Sequence, residues 1–182
     1  MTLFKHNCKG FTLLEILITV LILSVGLLGI AGLQVTSLKN NHSSYQRTQA
    51  TLLAYDVVDR MRTNFNAVSL SNYIAKGAYT VTAAGNTHTV NSPVATASCT
   101  TTGGCNIAQL ASTDVNQWRV LLADKLPGGI GVICLDSTPE DGTDANTHAC
   151  DDAGTVYAVK IWWNDDKDAA GSLKRFVVRY KP

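Results

Sequence analysis

Gly10-Phe11-Thr12-Leu13-Leu14-Glu15 opens an apolar run that continues from Ile16 to Leu33. Between Phe11 and Leu33 lie 23 residues, and Glu15 is the only one with a formal charge. As a helix, rising about 1.5 Å per residue, this stretch spans roughly 30 Å, enough for the hydrocarbon core of a bilayer. A leader of ten residues with Lys5 and Lys9 precedes it. That charge bias predicts a cytoplasmic N-terminus and a C-terminus across the membrane. A secretory signal has a shorter apolar region, about 7–15 residues, ending at a small-x-small cleavage site. Here the run ends in Gly32-Leu33-Gln34 with no such site. A plain anchor explains the length but not Glu15, since a carboxylate inside a membrane helix costs about 2.5–3.5 kcal/mol at the centre and less near an end.

Lys9-Gly10-Phe11-Thr12-Leu13-Leu14-Glu15 resembles the class III signal of type IV pilins and type II secretion pseudopilins. The resemblance implies cleavage between Gly10 and Phe11 by prepilin peptidase and N-methylation of Phe11. It also implies that Glu15 accepts the Phe11 amine of a neighbouring subunit during assembly. A cation meeting that carboxylate would make it tolerable in lipid.

Without the leader 172 residues remain, about 150 of them beyond the apolar span, which is one domain's worth. The formal charge falls from +1 to −1, and no basic block argues for nucleic-acid binding. Cys8 leaves with the leader, so four of five cysteines face an oxidising compartment. Two disulfides are expected, with three connectivities open; neighbour pairing gives Cys99–Cys105 and Cys134–Cys150.

Gln34 to Asn64 holds neither proline nor glycine. Ala50, Leu53, Ala54, Val57 and Met61 form an apolar stripe at helical spacing, suited to packing on a sheet. Phe11 to about Arg62 therefore reads as one helix of roughly 75–80 Å, with an Asp56–Arg60 ion pair on its flank. Gly26, Gly29 and Gly32 weaken the span and admit two readings: close helix packing, or a place where the helix loosens in a filament.

Beyond Asn64, strands are expected at 78–82, entered by a Lys76-Gly77 turn, and at 130–135, 155–163 and 173–181, with a short one at His88–Val90 inside an exposed Ala83–Gly104 loop. A second helix is expected from Asn106 to Leu126, burying Leu110, Trp118, Leu121 and Leu122 and stopped by Pro127-Gly128-Gly129. In the last strand Phe176, Val178 and Tyr180 alternate with Arg175, Arg179 and Lys181 across a hairpin whose turn is Asn164–Ser172. Of Trp162 and Trp163, which point to opposite faces, one should be core and the other is a candidate surface contact, although a lone exposed aromatic is more often incidental. Pro139 to Gly154 reads as a solvated acidic turn closed by Cys134–Cys150. Its Asp144-x-Asn146-x-His148 spacing lacks the turn glycine and terminal glutamate of a calcium loop.

The run Trp118-x-x-x-Leu122-x-x-x-Leu126-Pro127-Gly128-Gly129-x-Gly131-x-Ile133 is similar to one in PilV-type minor pilins, and Leu23 to Gln34 resembles their membrane segment. The expectation is an α+β pilin ladle. Residues 1–10 are the cleaved leader, 11–33 the membrane or filament-core half of the helix, 34–64 its periplasmic half, and 65–182 a head with an antiparallel sheet of about four strands. The implied protein is a minor pilin, membrane-spanning in the bacterial inner membrane before assembly and extracellular in the pilus afterwards. Its implied partners are the major pilin, other minor pilins, prepilin peptidase and the inner-membrane assembly platform, with a tip adhesin left open. A type II secretion minor pseudopilin shares the same signal and is the alternative. A DNA-receptor pilin would need more than the modest cluster of Lys174, Arg175, Arg179 and Lys181, so direct DNA binding is not expected.

No enzyme motif is present: there is no G-x-S-x-G, no H-E-x-x-H and no phosphate loop, and Gly129-x-Gly131 lacks the third glycine of a dinucleotide fingerprint. No cofactor or metal is expected.

Overall fold

Helix α1 runs Leu13–Thr63, and the remaining elements follow in the order β1 Thr80–Ala84, β2 Thr87–Asn91, α2 Ile107–Lys125, β3 Ile130–Leu135, β4 Tyr157–Asn164 and β5 Leu173–Tyr180. The computed structural model describes residues 10–65, 71–76, 79–84, 87–91, 99, 103–165 and 173–182. Leader residues 1–9, Gly77 of the expected turn, most of the Ala83–Gly104 loop and the hairpin turn over 166–172 lie outside them. The chain packs as two units, one up to Asn41 and one from His42 onward.

In the first unit every described residue is exposed. Three hydroxyls of this apolar helix bond to its own backbone. Thr19 Oγ1 donates to Ile16 O (2.8 Å), Ser24 Oγ to Leu21 O (2.8 Å) and Thr36 Oγ1 to Gly32 O (3.2 Å). Hydroxyls bonded this way demand nothing from lipid. Gly26, Gly29 and Gly32 lie within the helix, and a Cβ at any of them would meet open space.

The second unit is built on the expected stripe. Gln46, Ala50, Leu53, Ala54, Val57, Val58 and Met61 are buried on α1. Helix α2 starts with a capping box: Asn106 Oδ1 accepts from Gln109 N (2.8 Å), and Gln109 Oε1 accepts from Asn106 N (3.0 Å). It buries Val115, Trp118 and Leu122, but Leu110, expected inside, is 39% exposed. The Trp118 indole donates to Leu53 O (3.0 Å), tying the helices together. Strand β3 then passes close beneath α2. A Cβ on Gly131 would come within 2.3 Å of the Trp118 ring and 2.5 Å of Leu122 Cδ1, and one on Gly129 within 2.3 Å of Leu122 O. The Trp118–Gly131 run is thus a steric match: Gly131 on the strand leaves room for the Trp118 and Leu122 side chains, and Gly129 in the turn leaves room for the end of the helix backbone.

The main sheet has three antiparallel strands in the order β3-β4-β5. Ile133 faces Val159, which faces Val178. The strand expected at 78–82 does not join it. As β1 it pairs with β2 in a separate hairpin (Thr80↔Asn91 to Ala84↔Thr87), and on the free side of β3 the described residues show an isolated bridge from Ala75 to Ile133. Among the described residues the expected sheet of about four strands is therefore three strands plus a hairpin; the α+β class stands.

Every residue of β4 from Tyr157 to Trp163 is buried. Val159, Ile161 and Trp163 join Ile133 and Val178 in the core shared with both helices. Ala158 and Trp162 join Val132 and Cys134 in a second cluster on the opposite face, beneath Ala145 and Cys150 of the loop after β3. Trp162 is 1% and Trp163 3% exposed, so the expected surface tryptophan does not exist: a loop covers the outer face.

Candidate assembly site

Residues Gly10 to Thr12 precede the helix, and Thr12 starts it. Glu15 N–H donates to Thr12 O (3.1 Å) and to Thr12 Oγ1 (3.3 Å), and Ile16 N–H to Thr12 O (3.3 Å). Thr12-x-x-Glu15 is the spacing of a capping box, a signal the sequence carried in plain view. Among the described residues, the Gly10–Phe11 bond lies ahead of the first hydrogen-bonded turn. The Glu15 carboxylate sits in the first helical turn, where unsatisfied N–H groups and the helix dipole favour an anion. Phe11 is 80% exposed, and Leu13, Leu14, Leu17, Leu21, Leu28, Leu33 and Leu38 are exposed like it. A continuous apolar surface with one carboxylate near its end requires either lipid or other helices around it. Only α1, among the described residues, is long and apolar enough to cross a membrane.

Four of the five cysteines form two disulfides, Cys99–Cys105 and Cys134–Cys150. The second closes the loop covering the outer sheet face, and that loop is more ordered than a solvated turn. Lys160, fully buried on β4, reaches Asp136 Oδ2 (2.6 Å), Asp141 Oδ1 (2.7 Å) and His148 O (2.8 Å). A lysine inside the apolar run Tyr157–Trp163 was the sequence signal for this anchor, although nothing in the spacing named its partners. The Lys160 bond, and next Thr138 Oγ1, hold the Asp141 carboxyl below the usual range. Thr147 N and Asn146 N do the same for Asp144; Ser137 Oγ and then Ala153 N do so for Asp151.

Arg175 donates to Gly142 O and Glu140 O, and Arg179 Nη2 lies 3.2 Å from Glu140 Oε1. Lys76 pairs with Asp152. Arg175 and Arg179, the centre of the modest basic cluster, are thus occupied by the acidic loop. Cys134, Asp136 and Cys150 come together closely enough to suggest a metal centre. Their chemistry does not fit one: both sulfurs are in the disulfide, and the carboxylate faces Lys160.

Two further groups tie the head together. Tyr73 Oη donates to Asp114 Oδ2 (2.6 Å), and Arg60 bridges Asp56 (2.9 Å) and Asp114 (3.1 Å), joining α1 to α2. Burial, then the Asp114 bond, pushes the Tyr73 hydroxyl well above its ordinary value. Arg119, 1% exposed, lies 4.0 Å over the Tyr79 ring and donates to Ala75 O. Burial raises the Tyr79 hydroxyl to about 12, against the opposing effects of its Gly131 N–H bond and Arg119.

Two family models match the chain. One, the prokaryotic N-terminal methylation motif, covers residues 5–31; the other, Tt1218-like, type IV pilin Tt1218, covers residues 32–116. No curated protein and no solved structure matches. The two matched stretches abut and together take in well over half of the sequence, from the leader through the exposed helix and the spine of the head into α2. The motif implies processing by prepilin peptidase and entry into a pilus, and the chain belongs to the type IV pilin family.

Proposed function

We propose that this protein is a PilV-type minor pilin that enters the type IV pilus and, with other minor pilins, primes assembly at its tip. The observation that carries the reading is the wholly exposed apolar half of α1, with Glu15 as its single charge, attached to a head whose own core is complete. Such a helix has no use in isolation. In the membrane lipid covers it, and in a filament the helices of neighbouring subunits would. On this reading Glu15 accepts the methylated Phe11 amine of the next subunit, which neutralises a buried carboxylate. The match of Trp118 and Leu122 on α2 to Gly131 on β3, with Gly129 in the turn between them against Leu122 O, lies in the run shared with PilV-type pilins and supports the finer assignment. The protein acts by geometry and contact, not by catalysis; the assembly ATPases lie elsewhere in the machine.

A minor pseudopilin of a type II secretion system would use the same N-terminal chemistry. Deletion of the gene separates the two, with piliation, twitching motility and type II secretion read on the same cells. Sparse or absent pili with normal secretion is the expected result. Normal pili with failed secretion would move the protein to the pseudopilins. Engagement of Arg175 and Arg179 by Glu140 and loop carbonyls supports a role without direct DNA binding.

A further inference from the structure

The loop between Asp136 and Asp152 is acidic, and carboxylates with main-chain carbonyls are the ligands that a calcium ion takes. At the centre of this loop's oxygens stands a nitrogen. Around Lys160 Nζ stand Asp136 Oδ2 at 2.6 Å, Asp141 Oδ1 at 2.7 Å, His148 O at 2.8 Å and Asp141 O at 3.2 Å. Two carboxylates and two carbonyls are the donor set of a hard-cation site, and an ammonium with three N–H groups meets it. Lys160 and Asp136 are 0% exposed, whereas Asp141 is 43% exposed at its side chain, so one flank of the cage touches water.

The backbone is wound tightly around this point. Gly142 has φ +85°, and a Cβ there would lie 2.5 Å from His148 O. Thr143 N–H donates to Thr147 O (3.1 Å), and Asp144 Oδ1 accepts from Asn146 N (2.7 Å) and Thr147 N (2.8 Å). The Cys134–Cys150 disulfide fastens the loop beside the cage, and Trp162 and Val132 lie beneath it.

We propose that the Lys160 ammonium is the resident cation of this loop, fixing its fold in place of a bound metal ion, so that the head keeps its loop surface whatever the calcium concentration outside the cell. The lysine is delivered by β4, the central strand of the sheet, so the cation cannot be lost by dilution or chelation. The cage keeps enough oxygen ligands to take a free cation once the lysine is shortened.

The test is amide hydrogen exchange on the mature full-length protein in detergent, read at Thr138, Thr143, Asn146 and Thr147, in chelator and in millimolar calcium. Wild type should show the same protection in both. Lys160→Ala should lose protection at these amides by about a hundredfold or more, because Asp136 is left buried and unpaired. Calcium, or a small primary ammonium such as propylammonium, should restore part of it, while tetramethylammonium should not. The proposal is overturned if chelator weakens wild type, if Lys160→Ala keeps its protection, or if neither cation restores it. Should Lys160→Ala fail to fold, Asp141→Asn serves, since the residue is half-exposed and the acceptor oxygen is retained. Loss of its charge should lower protection by about tenfold, and no change would overturn the cage.

Discussion

Gly131→Ala tests the closeness of β3 to α2, on which the head's architecture rests. The added methyl would sit 2.3 Å and 2.9 Å from two atoms of the Trp118 ring and 2.5 Å from Leu122 Cδ1. None of these neighbours can retreat cheaply. Trp118 and Leu122 are both 0% exposed, and the indole is held by its bond to Leu53 O at 3.0 Å. Overpacking of this kind costs about 1–3 kcal/mol, and the fixed indole argues for the upper end. For a domain of this size about 3 kcal/mol corresponds to a fall in Tm of roughly 10 °C. The assay is thermal unfolding by circular dichroism, with Gly103→Ala as control, because a Cβ there meets nothing within 4 Å. Combining Gly131→Ala with Leu122→Ala should cost less than the sum of the two, since the second change vacates the space the first invades. A Tm for Gly131→Ala within about 2 °C of wild type would refute the reasoning, because it would mean that strand and helix can part without loss.

Glu15→Ala should insert and be cleaved normally but appear in sheared pili at a small fraction of the wild-type amount, as an immunoblot of the pilus fraction would read; wild-type incorporation would remove the amine-pairing role. The depressed carboxyls of Asp141, Asp144 and Asp151 contribute stability that is complete above the ordinary carboxylate pKa, about 3.9, and is lost as pH falls through their lower folded values. Loop exchange rates corrected for intrinsic chemistry should therefore be flat above about pH 5 and rise below about pH 4. Replacing both Cys134 and Cys150 by serine should cost about 3 kcal/mol or more, since the bridge closes 16 residues of sequence and Cys134 is fully buried. The same change at Cys99 and Cys105, a separation of 6, should cost less, as denaturant melts of the two variants would compare.

Much of this fold was legible because its determinants are local. The Ala50–Met61 stripe repeats at helical spacing, and it is buried as read. Ile130 to Leu135 forms a strand with the expected ends, since Pro127-Gly128-Gly129 stops α2 and β-branched residues follow. Arg175 and Arg179 point outward and Val178 and Tyr180 inward, as alternation demands. What was not legible depends on contacts between distant segments. Alternation said that Trp162 and Trp163 face opposite ways, but it could not say that residues 136–150 fold back over the second face. For the same reason Lys160 had no visible partner, because Asp136 and Asp141 lie about twenty residues earlier. The strand at Thr80 was visible by its pattern, whereas its place in a hairpin apart from the main sheet is a matter of packing. At the helix start Glu15 stood out for its charge, and Thr12, which caps the turn, stood unnoticed three residues before it.

The most direct measurement is the intact mass of this protein recovered from sheared surface pili without reduction. The recovered chain should begin at Phe11, carry one added methyl on its amine and lack the four hydrogens of two disulfides. Absence from the pilus fraction, or a chain that still begins at Met1, would contradict that expectation.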